Sequence, residues 1–218
     1  MHPPIKHIIH NQTLWLSGHR AIFWEEEHAL ILADLHFGKT GHFRKAGIGV
    51  PQTVYKEDLQ RLITLIQFFK PLQLIVVGDM FHSKSNIEHA LFERWRNDLP
   101  LVEVHLVKGN HDILHKDWYQ KVSIKVHDHQ LLIRDFVFLH DIADGTEDFP
   151  GKYFFCGHIH PGIRIGGIAK QALHLPCFHF EQTCCTLPAF SKFTGMINVR
   201  RNTADKIFAI AEGRVFEV

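Results

Sequence analysis

Four short motifs of acidic, amide and imidazole side chains follow one another along this sequence, each at the end of an apolar run. They are Asp34-x-His36, Gly78-Asp79, Gly109-Asn110-His111-Asp112 and Gly157-His158-Ile159-His160. His140 adds a fifth position, because it closes the apolar run 136–139. These groups are ligands for divalent cations, and two adjacent cations can bind both oxygens of an in-line displacement at phosphorus. The pattern therefore predicts a dinuclear metal site that hydrolyses a phosphate ester.

The donor types also indicate which metals suit this site. The set contains no thiolate, which favours Mn²⁺, with Fe²⁺ or Zn²⁺ as alternatives, over a Cys-rich structural zinc site. Asp34 and Asp79 offset two of the four positive charges of an ion pair, which leaves a local surplus of about +2 to attract a phosphate ester. We expect Asp79 to bridge two ions about 3.5–4 Å apart.

Three of the four motifs have an ordinary structural explanation when taken alone, whereas Gly-His-x-His is a stronger signal by itself. Asp-x-His arises easily by chance in a chain with 19 histidines, and Gly78-Asp79 is typical of a turn that ends a strand. Gly-Asn-His-Asp also spells a common loop. It is the ordered set, with every member at a strand end, that indicates metal binding.

The elements between the motifs predict an α/β fold whose strands end at the motifs. Apolar runs predict strands at 22–24, 29–33, 74–77 and 102–107, and helical spacing predicts helices at 51–69 and after a cap at Ser85. Ligands collect outside the carboxyl ends of parallel strands, so we expect Asp34, Asp79 and Asn110 to converge. The second half is β-rich, with runs at 122–126, 131–133, 136–139, 153–156 and 163–169 and a hairpin over 206–218.

Length and composition fit an ordinary globular protein. The 218 residues are 45% apolar and 22% charged, and we expect one domain over residues 1–218. The net charge of +1 gives no global basic field for nucleic acid. No secretory signal or membrane-spanning apolar run is visible, and the four cysteines make no disulfide framework. We therefore expect a cytoplasmic protein without a membrane partner.

The ordered motifs resemble the calcineurin-like metallophosphoesterase superfamily, whose pattern is D-x-H, GD, GNH[D/E], a lone H and GH-x-H. The resemblance covers about residues 34–160 and implies a four-layer α/β/β/α sandwich. It implies that one ion is bound by Asp34, His36, Asp79 and His160. It implies that the other ion is bound by Asp79, Asn110, His140 and His158. His111, beside Asn110, would then be the acid that protonates the leaving oxygen.

A narrower resemblance involves further segments. Residues 33–39 (ADLHFGK), 46–51 (AGIGVP), 78–83 (GDMFHS), 157–161 (GHIHP) and 187–190 (LPAF) are similar to the bacterial ligase-associated DNA-damage-response phosphoesterases. This similarity implies a nuclease-like role in DNA repair, with DNA as the phosphodiester and DNA ligase or helicase repair proteins as partners. One departure is visible, since the lone histidine is often followed by Gly in that family and here His140 precedes Asp141.

Cationic side chains near the motifs are candidate contacts to substrate phosphates. Lys39 and Arg44 follow the first motif, and Arg164 follows the last. A solvated loop is the alternative explanation for each. Small phosphodiesters or phosphomonoesters remain alternative substrates, and a non-catalytic scaffold that binds proteins remains an alternative class. The enzyme is favoured because every ligand of the pattern, and His111, is present.

Overall fold

Two β-sheets and a group of helices form the part of the chain that the structure describes, residues 1–39, 53–82, 87–145, 147–166 and 172–218. In this computed structural model the first sheet contains β1 (Ile5–Ile9), β2 (Gln12–Ser17), β3 (Ala21–Trp24), β4 (Ala29–Ala33), β5 (Gln73–Val77), β6 (Glu103–Val107) and β7 (Ile124–His127), in that spatial order. The pairs from β1 to β4 are antiparallel. The pairs from β4 to β7 are parallel.

The second sheet comes from the remaining strands of the described residues. Its members are β8 (Gln130–Ile133), β9 (Phe136–Leu139), β10 (Tyr153–Cys156), β11 (Pro161–Gly166), β12 (Ala172–Phe180), β13 (Cys184–Thr186), β14 (Ile197–Asn198), β15 (Lys206–Ala211) and β16 (Arg214–Glu217). Their order is β14-β11-β12-β13-β10-β9-β8, and β15 pairs with β12 and β16. The helices are α1 (Thr53–Phe69), α2 (Ile87–Asn97), α3 (Lys116–Lys121) and a 3₁₀ turn at Ile142–Asp144.

An aromatic core joins the two sheets. Because side chains alternate between the two faces of a strand, one face of the first sheet meets one face of the second. The rings that meet there are fully buried, namely Trp24, Phe136, Phe138, Phe155 and Phe178. Trp24 and Phe136 lie 4.7 Å apart between ring centroids, and Phe136 and Phe155 lie 5.0 Å apart.

The helices cover the opposite face of the first sheet. Leu62 and Leu65 of α1, Phe92 of α2 and Tyr119 of α3 share one core cluster with the sheet. Both faces of β4 are therefore covered, which explains why all five of its residues are buried. On the outer face of the second sheet, Phe149 packs over a smaller cluster in the described residues. The predicted two-sheet α/β sandwich is confirmed, whereas the outer helix layer of the expected four is not among the residues described.

The register of the parallel strands brings the predicted site residues together. Ala33 of β4 pairs with Val77 of β5, and Val77 pairs with Val107 of β6. Three motifs therefore leave the first sheet side by side. In the second sheet β9 and β10 are also parallel, with Phe138 opposite Phe155, so His140 and the last motif leave together. The expectation that the strand ends converge is confirmed.

Several predicted elements match the described ones closely. The bounds of β4, β9 and β10 are those expected, and α1 ends at Phe69 as predicted. The proposed Ser85 cap, the predicted helix start at residue 51 and the end of the predicted strand 163–169 lie outside the described residues. The sequence did not predict β1, β2, β14 or α3. None of the helices described combines the length and apolar composition needed to span a bilayer.

The aromatic core supports a stability prediction. Replacing Phe136, which is 0% exposed, with Ala should lower the free energy of unfolding by about 3–5 kcal/mol, because it removes a ring from between the sheets. Leu101→Ala is the control, since Leu101 is 91% exposed and should change stability by less than about 0.5 kcal/mol. Urea unfolding of both variants is the measurement. Equal stability of the two variants would contradict the described core.

Candidate metal centre

Left-handed backbone at the strand ends aims the motif side chains inward. Five non-glycine residues of the motifs have positive φ: Asp34 (54°), His36 (50°), Asp79 (50°), His158 (66°) and His160 (50°). This conformation is uncommon outside glycine and costs about 1–2 kcal/mol per residue. Hydrogen bonds hold the turns, with the Asp34 N–H donating to the Gly78 carbonyl at 3.1 Å and the His36 N–H to the Asp79 carbonyl at 2.8 Å. The turns let both members of Asp-x-His point to one place.

Glycines make room for the same side chains. A Cβ atom at Gly78 would lie 1.8 Å from His140 Nδ1, and one at Gly109 would lie 2.2 Å from Asp79 Oδ1. A Cβ atom at Gly157 would lie 2.6 Å from Asp34 Oδ2. These separations are far below van der Waals contact, so the glycine in each of three motifs is required by a side chain from another motif.

One group of candidate ligand atoms lies around Asp34 and His160. Asp34 Oδ1 is 3.6 Å from His160 Nε2, which is 3.4 Å from His36 Nε2. The ligand atoms of these three residues all lie within 4.8 Å of one another. Asp79 reaches this group through Oδ2, which is 4.0 Å from His36 Nε2.

A second group surrounds His140. Its Nε2 lies 3.1 Å from Asn110 Oδ1, 3.1 Å from His158 Nδ1 and 3.6 Å from Asp79 Oδ1. Asp79 thus presents one oxygen to each group. The structure brings all seven predicted ligands together.

The buried polar atoms at this place fit a divalent cation. Asp34 is 0% exposed, and within the described part of the chain its Oδ1 has no hydrogen-bond partner. Such an atom is costly to bury, and a cation satisfies it. Burial, followed by Lys39 and neighbouring histidines, lowers the pKa of His36 to about 2. The imidazole is therefore neutral at pH 7 and its lone pair is available to a metal.

Asp112 braces the turns beneath the cluster. Its carboxylate accepts hydrogen bonds from the backbone N–H groups of Phe81 at 3.0 Å and Gly109 at 2.9 Å. It thereby ties the Gly-Asp turn to the Gly-Asn-His-Asp turn. Burial raises its pKa to about 7, although these two hydrogen bonds act in the opposite direction.

His111 lies at the rim of the cluster. The backbone N–H of His111 donates to Asp79 Oδ1 at 2.9 Å, while the ring Nε2 of His111 is 3.9 Å from Asp79 Oδ2. The side chain is 39% exposed, so a solvent-borne substrate can reach it. The ring of His82 lies beside it, with 4.2 Å between the two ring centroids.

The three predicted phosphate-binding cations differ in location. Lys39 is half-buried, and burial lowers its pKa while Asp79 and Asp34 raise it, so it lies in the field of the cluster. Arg164 is an exposed residue of β11, about 10 Å along the strand from Pro161. Arg44 lies outside the described residues.

A cavity of about 380 Å³ opens beside the second group. Asn110, His140 and His158 line it, together with residues that the sequence did not single out as substrate-binding: Lys108, Asp128, His129, Asp141 and Asp144. The sequence did not identify the acidic members of this set, because acidic residues in loops follow no spacing pattern that would indicate that they line a cavity. A larger cavity of about 540 Å³ lies elsewhere, near Arg20 and Leu173, and none of the predicted ligands lines it.

Comparison with known proteins found a matching family profile and similar solved structures. The family profile described as calcineurin-like phosphoesterase matches residues 28–188, which contain all seven candidate ligands. Pseudomonas putida nuclease MPE, whose crystal structure is known, has 29% sequence identity to this chain. The two structures align with a TM-score of 0.81 over 99% of this chain and 98% of that chain. The structure of Yfce, a phosphoesterase from E. coli, is 15% identical with a TM-score of 0.43, over 84% and 88% of the two chains. No match was found among curated proteins.

The matched residues make up well over half of the chain, and the strand ends within them converge on grouped carboxylates and imidazoles. The chain therefore belongs to the calcineurin-like phosphoesterase family and is a metal-dependent phosphoesterase.

Proposed function

We propose that this protein hydrolyses phosphodiester bonds, with DNA as substrate, through a dinuclear centre that takes Mn²⁺ first and Fe²⁺ or Zn²⁺ as alternatives. The observation that carries the proposal is the pair of ligand groups that share Asp79. One site would be formed by Asp34, His36, Asp79 and His160, and the other by Asp79, Asn110, His140 and His158. Asp79 suits the bridging position because its two oxygens face different groups, at 4.0 Å from His36 and 3.6 Å from His140.

The protein's own residues would position the ester and move the proton. Bound divalent ions supply Lewis-acid stabilisation of phosphoryl charge and lower the pKa of water. His111 is the proposed acid, because its imidazole is exposed at the rim and can donate a proton to the leaving oxygen. Lys39, which lies in the field of Asp79 and Asp34, would contact a neighbouring phosphate. Arg44 and Arg164 are proposed for the same role on their place in the sequence.

The cavity beside His158 favours a nucleoside over a polyphosphate. Three carboxylates line it, Asp128, Asp141 and Asp144, against the single lysine Lys108, which also lies 3.4 Å from Asp128. Phosphates joined directly to the reacting one would be repelled there, whereas the base and sugar that separate successive phosphates in DNA would not. This charge distribution argues for a diester of nucleosides and against nucleoside triphosphates as substrates.

Nucleic acid is supported by similarity to a nuclease of known structure over nearly the whole of both chains. A role in DNA repair, and association with DNA ligase or helicase proteins, are proposed from the motif resemblance alone. The scaffold alternative is disfavoured because no ligand position is lost. The small-ester alternative is separated by experiment.

A glycine substitution beside Asp34 tests the assignment of the metal ligands. Gly157→Ala should weaken Mn²⁺ binding by about 10- to 100-fold, because the new Cβ would displace the Asp34 carboxylate. Gly166→Ala is the matched control, since a Cβ there has no atom of the described residues within 4 Å. Titration calorimetry and elemental analysis measure affinity and stoichiometry. Wild-type affinity in a folded Gly157→Ala protein would contradict the ligand assignment.

The second prediction tests His111 as the acid. His111→Ala should retain its metal and lose about 10²- to 10⁴-fold in turnover of a dinucleotide, whose leaving alkoxide needs a proton. The loss should be smaller with bis(p-nitrophenyl) phosphate, because nitrophenolate leaves without protonation. His115→Ala is the control, because the His115 side chain is 82% exposed. Equal losses on the two esters would remove His111 from the acid role.

The third prediction ranks substrates for the Mn²⁺-loaded protein. Single-stranded, nicked and duplex DNA are compared with nucleoside mono- and triphosphates at equal phosphate concentration. We expect DNA to be cleaved and the triphosphates to be poor substrates because of the acidic cavity. Rapid turnover of nucleotides with inert DNA would defeat the DNA proposal and favour the small-ester alternative.

A further inference from the structure

The loop segment 189–191 lies directly against Ala33 and Asp34. Ala33 and Ala189 form a parallel bridge. The Phe190 N–H donates to the Ala33 carbonyl at 2.8 Å, and the Ser191 N–H donates to the Asp34 carbonyl at 3.1 Å. The backbone on both sides of the buried Asp34 carboxylate is therefore held by residues 189–191.

Two arginines hold the other side of this segment. Arg20 Nη1 donates to the carbonyls of Ala189 at 3.1 Å and Ser191 at 2.9 Å. Arg61 Nη2 donates to the carbonyl of Phe190, and the Arg61 guanidinium lies 4.4 Å from the centroid of the Phe190 ring. Three consecutive carbonyls are thus bound by two cations, one from the turn before β3 and one from α1.

Asp58 of α1 completes this arrangement. It is 3% exposed, and its Oδ1 accepts a hydrogen bond from Arg61 Nη2 at 2.7 Å. Its carboxylate also accepts hydrogen bonds from the Ser191 side chain and the Lys192 backbone N–H. We call Arg20, Arg61 and Asp58 the arginine clamp. It joins α1 to the loop through charged contacts that are largely removed from water.

We infer that Arg20 and Arg61 are positioning residues for the metal site, which act through residues 189–191 on the backbone of Asp34. Asp34 is held at a φ of 54°, a strained conformation that persists only where its surroundings fix it. The clamp orients the peptide groups whose N–H donors supply that fixation. Carbonyls bound to cations also polarise the adjoining N–H groups and so strengthen the bonds to Ala33 and Asp34.

Arg96 provides a natural comparison elsewhere in the fold. It is 6% exposed, and its guanidinium donates to the carbonyls of Leu99, Val102 and Ser123. Val102 and Ser123 immediately precede β6 and β7. These contacts therefore lie at the amino ends of the parallel strands, whereas the metal groups lie at the carboxyl ends. Arg96 therefore has the same chemistry as the clamp arginines without their link to Asp34.

The test, which rests on the proposed metal site, compares Arg20→Met with Arg96→Met. Methionine keeps most of the apolar side chain and removes every donor. We expect both substitutions to lower the unfolding temperature of the metal-free protein. Only Arg20→Met should weaken Mn²⁺ binding, by about 10- to 100-fold as for loss of an outer contact to a ligand. Calorimetric titration and elemental analysis measure affinity and the number of bound ions.

The outcomes separate the inference from the proposed function. Wild-type affinity in Arg20→Met, or equal weakening in both variants, would overturn the clamp's positioning role. Absence of Mn²⁺ binding by the wild type would instead defeat the metal proposal itself. Should Arg20→Met fail to fold, Arg20→Lys and Arg96→Lys replace the pair. A lysine keeps the charge but lacks the planar fork that reaches both carbonyls, so only Arg20→Lys should show weakened binding.

Discussion

The alignment of strand ends across two facing sheets is the constraint on which the site depends. Ala33, Val77 and Val107 end their strands in register, and the second sheet delivers His140 and the last motif to the same edge. Burying these polar groups costs free energy. Asp34 is fully buried, and its carboxylate lies near that of Asp79. Two carboxylates at such close range repel one another. Divalent cations would offset that repulsion, which explains why the arrangement is compatible with a stable fold.

The strain at the turns follows from the same constraint. In a regular strand the side chains of residues i and i+2 lie on the same face but are separated along the strand. The cluster instead needs both side chains of Asp-x-His at one point beyond the strand end. Positive φ at Asp34, His36, His158 and His160 achieves this, and glycines admit the crowded side chains. Hydrogen bonds between turns, and Asp112 beneath them, keep the strained backbone in place. Local cost and metal affinity therefore have a common origin.

The sequence predicted the parts of the structure that depend on local pattern. The bounds of β4, β9 and β10 were readable because each is an apolar run that ends at a motif. The short α3 was missed because six residues are too few to show helical periodicity. The arginine clamp was not readable at all, since Arg20 and Ala189 are 169 positions apart. Its acceptors are backbone carbonyls, which every residue carries, so no residue type reveals the contact.

The near-neutral net charge is a poor guide to substrate, because the field at the site is local. The seven candidate ligands contain two carboxylates, so two divalent ions would leave a positive centre there, with Lys39 near it. The cavity beyond His158 has the opposite sign, with three carboxylates and one lysine. A phosphodiester matches this gradient, since its charge is concentrated at phosphorus and its nucleoside is neutral. The same gradient disfavours nucleoside triphosphates, whose further phosphates are joined directly to the first and would enter the cavity.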